Sequence, residues 1–283
     1  MTIVFVGMET SGQLRRRFQA AGYETYSCDR LPSEDGGEEM AYGPGPHGQL
    51  PMGRHMVGDV FQTLDHLAAN DMQPALAVFH PDCTYLTNSA AWAYMDPDFA
   101  KYPGVGYHQR VKPETLVGAE RRAAREEALN VVRRLMDLPI EAKVLENPPG
   151  SIGSMIMPAT QIVNPYQFGD DASKATCLWM LGDKRKHLQE LMLAPDPRKW
   201  VAPRIVCPVC KGVTGLEPAS AKGCPTCGCE AGLLRPRWAN QTDSGQNRLT
   251  PGDDRWKDRA RTYDGIADAL VASCVRFLKK RGL

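Results

Sequence analysis

The chain has 283 residues, of which 42% are hydrophobic and 24% charged, and its formal net charge is +1. That length fills one large domain or a domain with a small insert, and the composition excludes a disordered chain. No apolar run reaches the roughly 18 residues of a transmembrane helix, and the start, Met1 to Gly7, reads as a strand rather than a signal peptide, so the expected location is cytoplasmic with no membrane partner.

The net charge hides an asymmetry. Residues 184–283 carry 19 Lys and Arg against 10 Asp and Glu, whereas residues 1–183 carry 15 against 23. A basic last third suits a polyanion-binding face, and an ordinary solvated surface of uneven composition accounts for it equally well.

Residues 2–7 form a short apolar run ending in Gly, which predicts a buried strand. Residues 12–21 predict a helix with Leu14, Phe18 and Ala21 on one face and Ser11 as its N-cap. Tyr23 to Cys28 is a second strand, ending at Asp29. This unit opens a doubly wound parallel sheet, so the expected fold class is α/β. Residues 31–54, rich in Gly, Pro, Asp and Glu, predict a surface loop. A short strand at 55–60 leads into a helix near 61–69. Ala75 to Phe79 is a buried strand running straight into His80-Pro81-Asp82-Cys83. Residues 88–114 show no period, and a loop of that length is usually functional or mobile. Residues 115–138 are the clearest helix, with Leu116, Ala123, Ala128, Val131, Leu135 and Leu138 along one face. The strand Ala142 to Leu145 ends at Glu146-Asn147-Pro148-Pro149-Gly150. A further apolar run covers 176–181. Residues 203–238 read as an insert, and 261–280 predict an amphipathic helix with Ile266, Leu270, Val271, Cys274 and Phe277 on its apolar side.

The most specific local signal is a pair of Cys-x-x-Cys motifs, Cys207-Pro-Val-Cys210 and Cys224-Pro-Thr-Cys227. Four thiolates suit tetrahedral Zn²⁺, and each spacing lets one turn supply two ligands. A redox dithiol needs only one such pair, and four cysteine ligands leave no open position, so the expected metal is structural. Cys229 is a weaker substitute ligand.

Cys83 lies just past a strand end, where open α/β sheets place their ligands. A lone cysteine is more often a buried structural residue. The second motif, Leu145-Glu146-Asn147-Pro148, shifts that balance by adding a carboxylate at the end of another strand.

With these motifs in order, the chain resembles the cytosine-C5 DNA methyltransferases, most closely the small divergent members of phage and prophage genomes. Phe5-Val6-Gly7-Met8-Glu9-Thr10-Ser11-Gly12 stands in place of the family's cofactor loop. Asp29 matches its ribose-binding acid and Asp59 its adenine-contacting acid. His80-Pro81-Asp82-Cys83 resembles the Pro-Pro-Cys loop bearing the nucleophile, and Glu146-Asn147-Pro148 resembles Glu-Asn-Val. Arg261 to Ala269 resembles the last family motif. The cofactor loop lacks a Gly-Gly pair. No clear Gln-Arg-x-Arg follows Glu146; Asn240-Gln241-Thr242 and Gln246-Asn247-Arg248 are the nearest candidates.

The resemblance implies a methyl transfer from S-adenosylmethionine to C5 of a flipped-out cytosine in DNA. A thiolate adding at C6 makes C5 enamine-like, which is the role expected of Cys83. Glu146 would hold a proton at N3, and Asn147 would orient the carboxylate or the base. Met8, Glu9, Thr10, Ser11, Gly12, Asp29 and Asp59 would bind the cofactor. Pro81, Thr84 and Arg248 would contact substrate, with phosphates met by Arg235, Arg237, Arg255, Lys257, Arg259 and Arg261. His108, Gln109 and Arg110 would close over the base. The implied domains are a Rossmann-like catalytic core over 1-202, a zinc-ribbon insert reading DNA over 203-238, and a segment over 239-283 whose helix returns to the core. Two alternatives stay open: a related pyrimidine-C5 enzyme with another one-carbon donor or a free nucleotide, and a catalytically silent zinc-ribbon DNA-binding protein.

Overall fold

The structure, a computed structural model, describes residues 2–35, 39–40, 54–182, 189–214, 223–245, 247–248 and 261–283. Gln246, Arg255, Lys257, Arg259 and most of the expected 31–54 loop lie outside them. The chain divides into two compact units, Met1–Gln161 with Thr176–Leu188, and Ile162–Ala175 with Gln189–Leu283. This differs from the division expected from the sequence. The cysteine motifs and the residues of 239–283 share the second unit with an earlier segment, 162–175.

The first unit is α/β. Its strands are β1 (Ile3–Gly7), β2 (Glu24–Asp29), β3 (Glu39–Met40), β4 (His55–Val57), β5 (Leu76–Phe79), β6 (Ala142–Asn147) and β8 (Thr176–Gly182), in the spatial order β3-β4-β2-β1-β5-β6-β8. All neighbours are parallel except β8, which runs antiparallel to β6. A short strand β7 (Gln161–Val163) begins where this unit ends. The mostly parallel sheet is compatible with the Rossmann-like expectation. Its helices are α1 (Gln13–Ala20), α2 (Val60–Ala69), α3 (Gly118–Asp137) and the short α4 (Ser151–Met155).

Continuous apolar runs make β1 and β5 buried at every residue, as strands covered on both faces require. On one face Phe5, Phe79, Leu145 and Trp179 meet Leu64 and Leu67 of α2 and Leu129, Val132 and Leu135 of α3 in a single apolar cluster. Helix α1 packs on β1 and β2 and buries Leu14 and Phe18 completely. Each such side chain stabilises by about 1.5–3 kcal/mol relative to exposure.

Two local expectations are corrected. The residue at the N-cap of α1 is Gly12, in the left-handed region at φ 66°, and not Ser11. A better acceptor displaces the serine: Glu9 Oε1 takes the Gln13 N–H at 2.9 Å, while Ser11 Oγ takes it at 3.2 Å. The strand predicted to stop at Leu145 continues through Glu146 and Asn147, which pair with Leu178 and Cys177 of β8. Antiparallel pairing sustains it until two prolines end the ladder.

In the second unit, β9 (Arg204–Val206), β10 (Val213–Thr214) and β11 (Arg235–Arg237) form an antiparallel sheet in the order β10-β9-β11. Helix α5 (Asp264–Lys280) buries Ile266, Leu270, Val271, Cys274 and Phe277, the face its sequence period predicts. Tyr166 stacks on Trp238 at 4.5 Å, and Asn240 exchanges two hydrogen bonds with the Ser173 backbone, both at 3.0 Å. Among the described residues no helix is long and apolar enough to cross a membrane.

Candidate active site and metal site

Strand register brings the expected site residues of the first unit to one edge. Cys28, Gly7, Phe79 and Leu145 lie in one row across β2, β1, β5 and β6. The residues that follow them, Asp29, Met8, His80 and Glu146, form the next row at the carboxyl ends of these parallel strands. From β1 the chain builds outward through β2 to β4, then returns to add β5 and β6 on the other side. The order therefore reverses between β1 and β5, the position at which open α/β sheets bind ligands.

The nucleophile and acid motifs are fastened together. His80 Nδ1 lies 3.1 Å from Glu146 Oε2, and Asn147 Nδ2 donates to Pro81 O at 2.7 Å. The Ser151 N–H donates to Leu86 O at 2.7 Å, and Thr87 bridges Gly150. Gly150 is required by this close approach, since a Cβ there would lie 1.8 Å from Leu86 O. Glu146 and Asn147 are buried, whereas Cys83 is half-buried and is in no disulfide. Asp82 Oδ1 accepts from the Thr84 N–H at 2.9 Å and its hydroxyl at 2.6 Å, closing a tight turn around Cys83. Thr84 thus serves the shape of the loop.

Sequence reasoning misses Arg121 because the buried face of α3 is that of Arg121, Leu129, Val132 and Leu135, rotated from the expected face, whose Ala123 is exposed. Arg121 is buried, its Nη2 donates to Thr84 O at 3.4 Å, and its guanidinium lies over the rings of Tyr85 and Tyr94 at 5.2 and 4.8 Å. The long loop at 88–114 is folded on itself. Tyr107 Oη donates to Met95 O at 3.1 Å, and His108 meets Trp92 edge-on at 5.5 Å. Gln109 and Arg110 are exposed.

At the other side of the switch point, Met8 adopts φ 63° and its N–H donates to Cys28 O at 2.6 Å. Glu9 is 9% exposed, and its Oε2 is buried with no hydrogen-bond partner. Burial pushes the Asp29 carboxyl above its ordinary value; the Leu31 N–H partly opposes this, and the charge of Glu9 adds to the rise. Thr10 Oγ1 donates to Glu34 at 3.0 Å. Asp59 is the N-cap of α2, accepting from Phe61 N at 2.9 Å and Gln62 N at 3.3 Å. Arg248 is exposed in the second unit.

The sulfurs of Cys207, Cys210, Cys224 and Cys227 all lie within 4.8 Å of one another, a cluster that could bind a metal such as zinc. The Cys207–Cys227 and Cys210–Cys224 separations are both 3.7 Å. A tetrahedron with metal–sulfur bonds of about 2.3 Å has edges of about 3.8 Å, so the donors fit. The apolar core beside them is small: Ile205, Leu234 and two of the cysteines. The backbone N–H of Cys210 holds the Cys207 thiol down at about 6, while hydrogen bonding to Cys207 and desolvation push Cys229 up to about 12.

Comparison with protein-family models and with curated proteins finds no match to this chain.

Proposed function

We propose that this protein is a DNA cytosine-C5 methyltransferase with a Rossmann-like catalytic unit and a structural zinc site. The observation that carries the reading is the fastening of the Cys83 loop to Glu146 and Asn147 beside the switch point of the sheet. A cysteine and a buried carboxylate held on neighbouring strand ends suit covalent activation of a pyrimidine ring.

The Cys83 thiolate adds to C6 of a cytosine turned out of the duplex, since a stacked base is out of reach. Glu146 holds a proton at N3, which draws charge from the ring as the C6–S bond forms. His80 orients that carboxylate. Asn147 commits its amide to the Pro81 carbonyl and so positions the loop bearing the thiol. After C5 is methylated and its proton lost, the sulfur leaves C6 and the double bond re-forms.

S-adenosylmethionine fits the other side of the switch point. The partnerless Glu9 Oε2 suits a cationic donor, and Asp29 suits ribose hydroxyls. When bound, it supplies an electrophilic methyl group. The basic excess of residues 184–283 is compatible with DNA as the partner.

The test is nucleoside mass spectrometry of plasmid DNA co-expressed with wild type or Cys83→Ser. The expected result is 5-methylcytosine with wild type only. A different added mass overturns the donor. No added mass from folded wild-type protein overturns methylation of DNA.

A further inference from the structure

We propose that the metal cluster has two interchangeable fourth ligands, Cys227 and Cys229, so that four-thiolate coordination survives the loss of either one. This rests on the metal reading alone and is independent of the methyltransferase reading.

The two cysteine motifs repeat one backbone turn. In the first, the Cys207 N–H donates to Gly212 O at 3.0 Å, and the Lys211 N–H donates to Cys207 O at 2.9 Å. In the second, the Cys224 N–H donates to Cys229 O and the Gly228 N–H donates to Cys224 O, both at 2.9 Å. Lys211 and Gly228 share the left-handed conformation, at φ 56° and 69°. Gly212 and Cys229 are therefore equivalent positions in the two turns.

That equivalence tells where a side chain at this position goes. A Cβ on Gly212 would lie 3.2 Å from Cys210 Sγ, the second ligand of its own motif. In the second turn the counterpart of Cys210 is Cys227, and the side chain carried by the equivalent position is itself a thiol. Cys229 Sγ indeed lies 3.2 Å from Cys207 Sγ and also interacts with Cys227. It sits against the Cys207–Cys227 edge of the cluster. The backbone keeps it there, because a Cβ on Gly223 would lie 2.2 Å from Cys229 O, leaving room only for glycine beside that carbonyl.

Cys227 is the exposed member of the four, while Cys229 is half-buried. The ligand open to alkylation or oxidation is thus the one with a neighbour ready to replace it. The exchange balances: the Cys229 thiol gives up its proton as its sulfur bonds the metal, and the departing Cys227 thiolate takes up a proton. Ligand number and site charge stay the same.

The experiment loads the purified full chain with Co²⁺ and reads metal content by native mass spectrometry and thiolate number by the sulfur-to-cobalt charge-transfer band. Cys227→Ser and Cys229→Ser are each expected to keep one metal and the wild-type band intensity. The double variant is expected to fall to the three-thiolate intensity of Cys210→Ser. Mild alkylation of the metal-loaded wild type is expected to label Cys227 on some molecules and Cys229 on others, never both on one that retains its metal. A Cys227→Ser spectrum equal to that of Cys210→Ser overturns the proposal, as does label confined to Cys229. Wild type that takes up no metal overturns the metal reading itself.

Discussion

His80 Nδ1 and Glu146 Oε2 are 3.1 Å apart, although the residues are 66 positions apart in sequence. Each side chain is about nine-tenths buried, with exposures of 11% and 9%. The contact places an imidazole behind the carboxylate that the proposed chemistry relies on, and His80 Nε2 is buried with no hydrogen-bond partner.

His80→Leu removes this donor from a buried carboxylate oxygen, at a cost of about 1–3 kcal/mol. Misorientation of Glu146 is expected to lower the 5-methylcytosine yield by about 10²-fold. His80→Gln, whose amide can donate to the same oxygen, is expected to recover most of it. Equal yields from the two variants would remove His80 from the role of orienting Glu146.

Gly150→Ala drives a methyl group into Leu86 O at 1.8 Å. The bridge between Thr87 and Gly150 must open, with an expected loss of about 1–3 kcal/mol. The check is the midpoint of urea unfolding, together with faster proteolysis within residues 80–88. An unchanged midpoint would mean that the two motifs are not fastened here.

Asp29 carries a carboxyl whose folded-state value is raised, first by burial. A raised acid holds its proton more tightly in the folded state. Its contribution is therefore fully present below the ordinary carboxylate value and is lost as pH rises through the folded one. Asp29→Asn keeps an acceptor for Leu31 and avoids burying a charge. It is expected to raise the melting temperature at pH 7, with the gain vanishing in acid, and to weaken S-adenosylmethionine binding. A gain that is constant with pH would show that the charge is not its source.

Removal of the proposed zinc should unfold only a local region. Ile205 and Leu234 are too small a core to hold β9, β10 and β11 without the metal. A chelator is expected to abolish hydrogen-exchange protection at Ile205, Val206 and Arg235 while the amides of β1, β5 and β6 stay protected. Retained protection in the second unit would show that the fold does not need the ion.

Features stored in consecutive residues are legible in the amino-acid sequence alone. Short apolar runs mark β1 and β5, a helical period marks α3 and the buried face of α5, and cysteine spacing marks the four-cysteine cluster. Features that depend on distant partners are not. The strand carrying Glu146 is prolonged by its antiparallel neighbour β8. Arg121 shares the buried face of α3 with Leu129, Val132 and Leu135, and the rings of Tyr85 and Tyr94 that cover it come from a distant loop. Strands of two or three residues, such as β3, β9 and β10, are too short to show alternation.

The division of the chain into units has a consequence for its synthesis. Every strand of the first unit's sheet precedes residue 189, whereas both Cys-x-x-Cys motifs follow it. As the chain leaves the ribosome from its N-terminus, that sheet can close before any of the four clustered cysteines emerges. Residues 164–175 must wait meanwhile, because companions such as Trp238 and Asn240 in the second unit are made last. Premature capture of that waiting segment is therefore the misfolding risk built into the gene order of the two units.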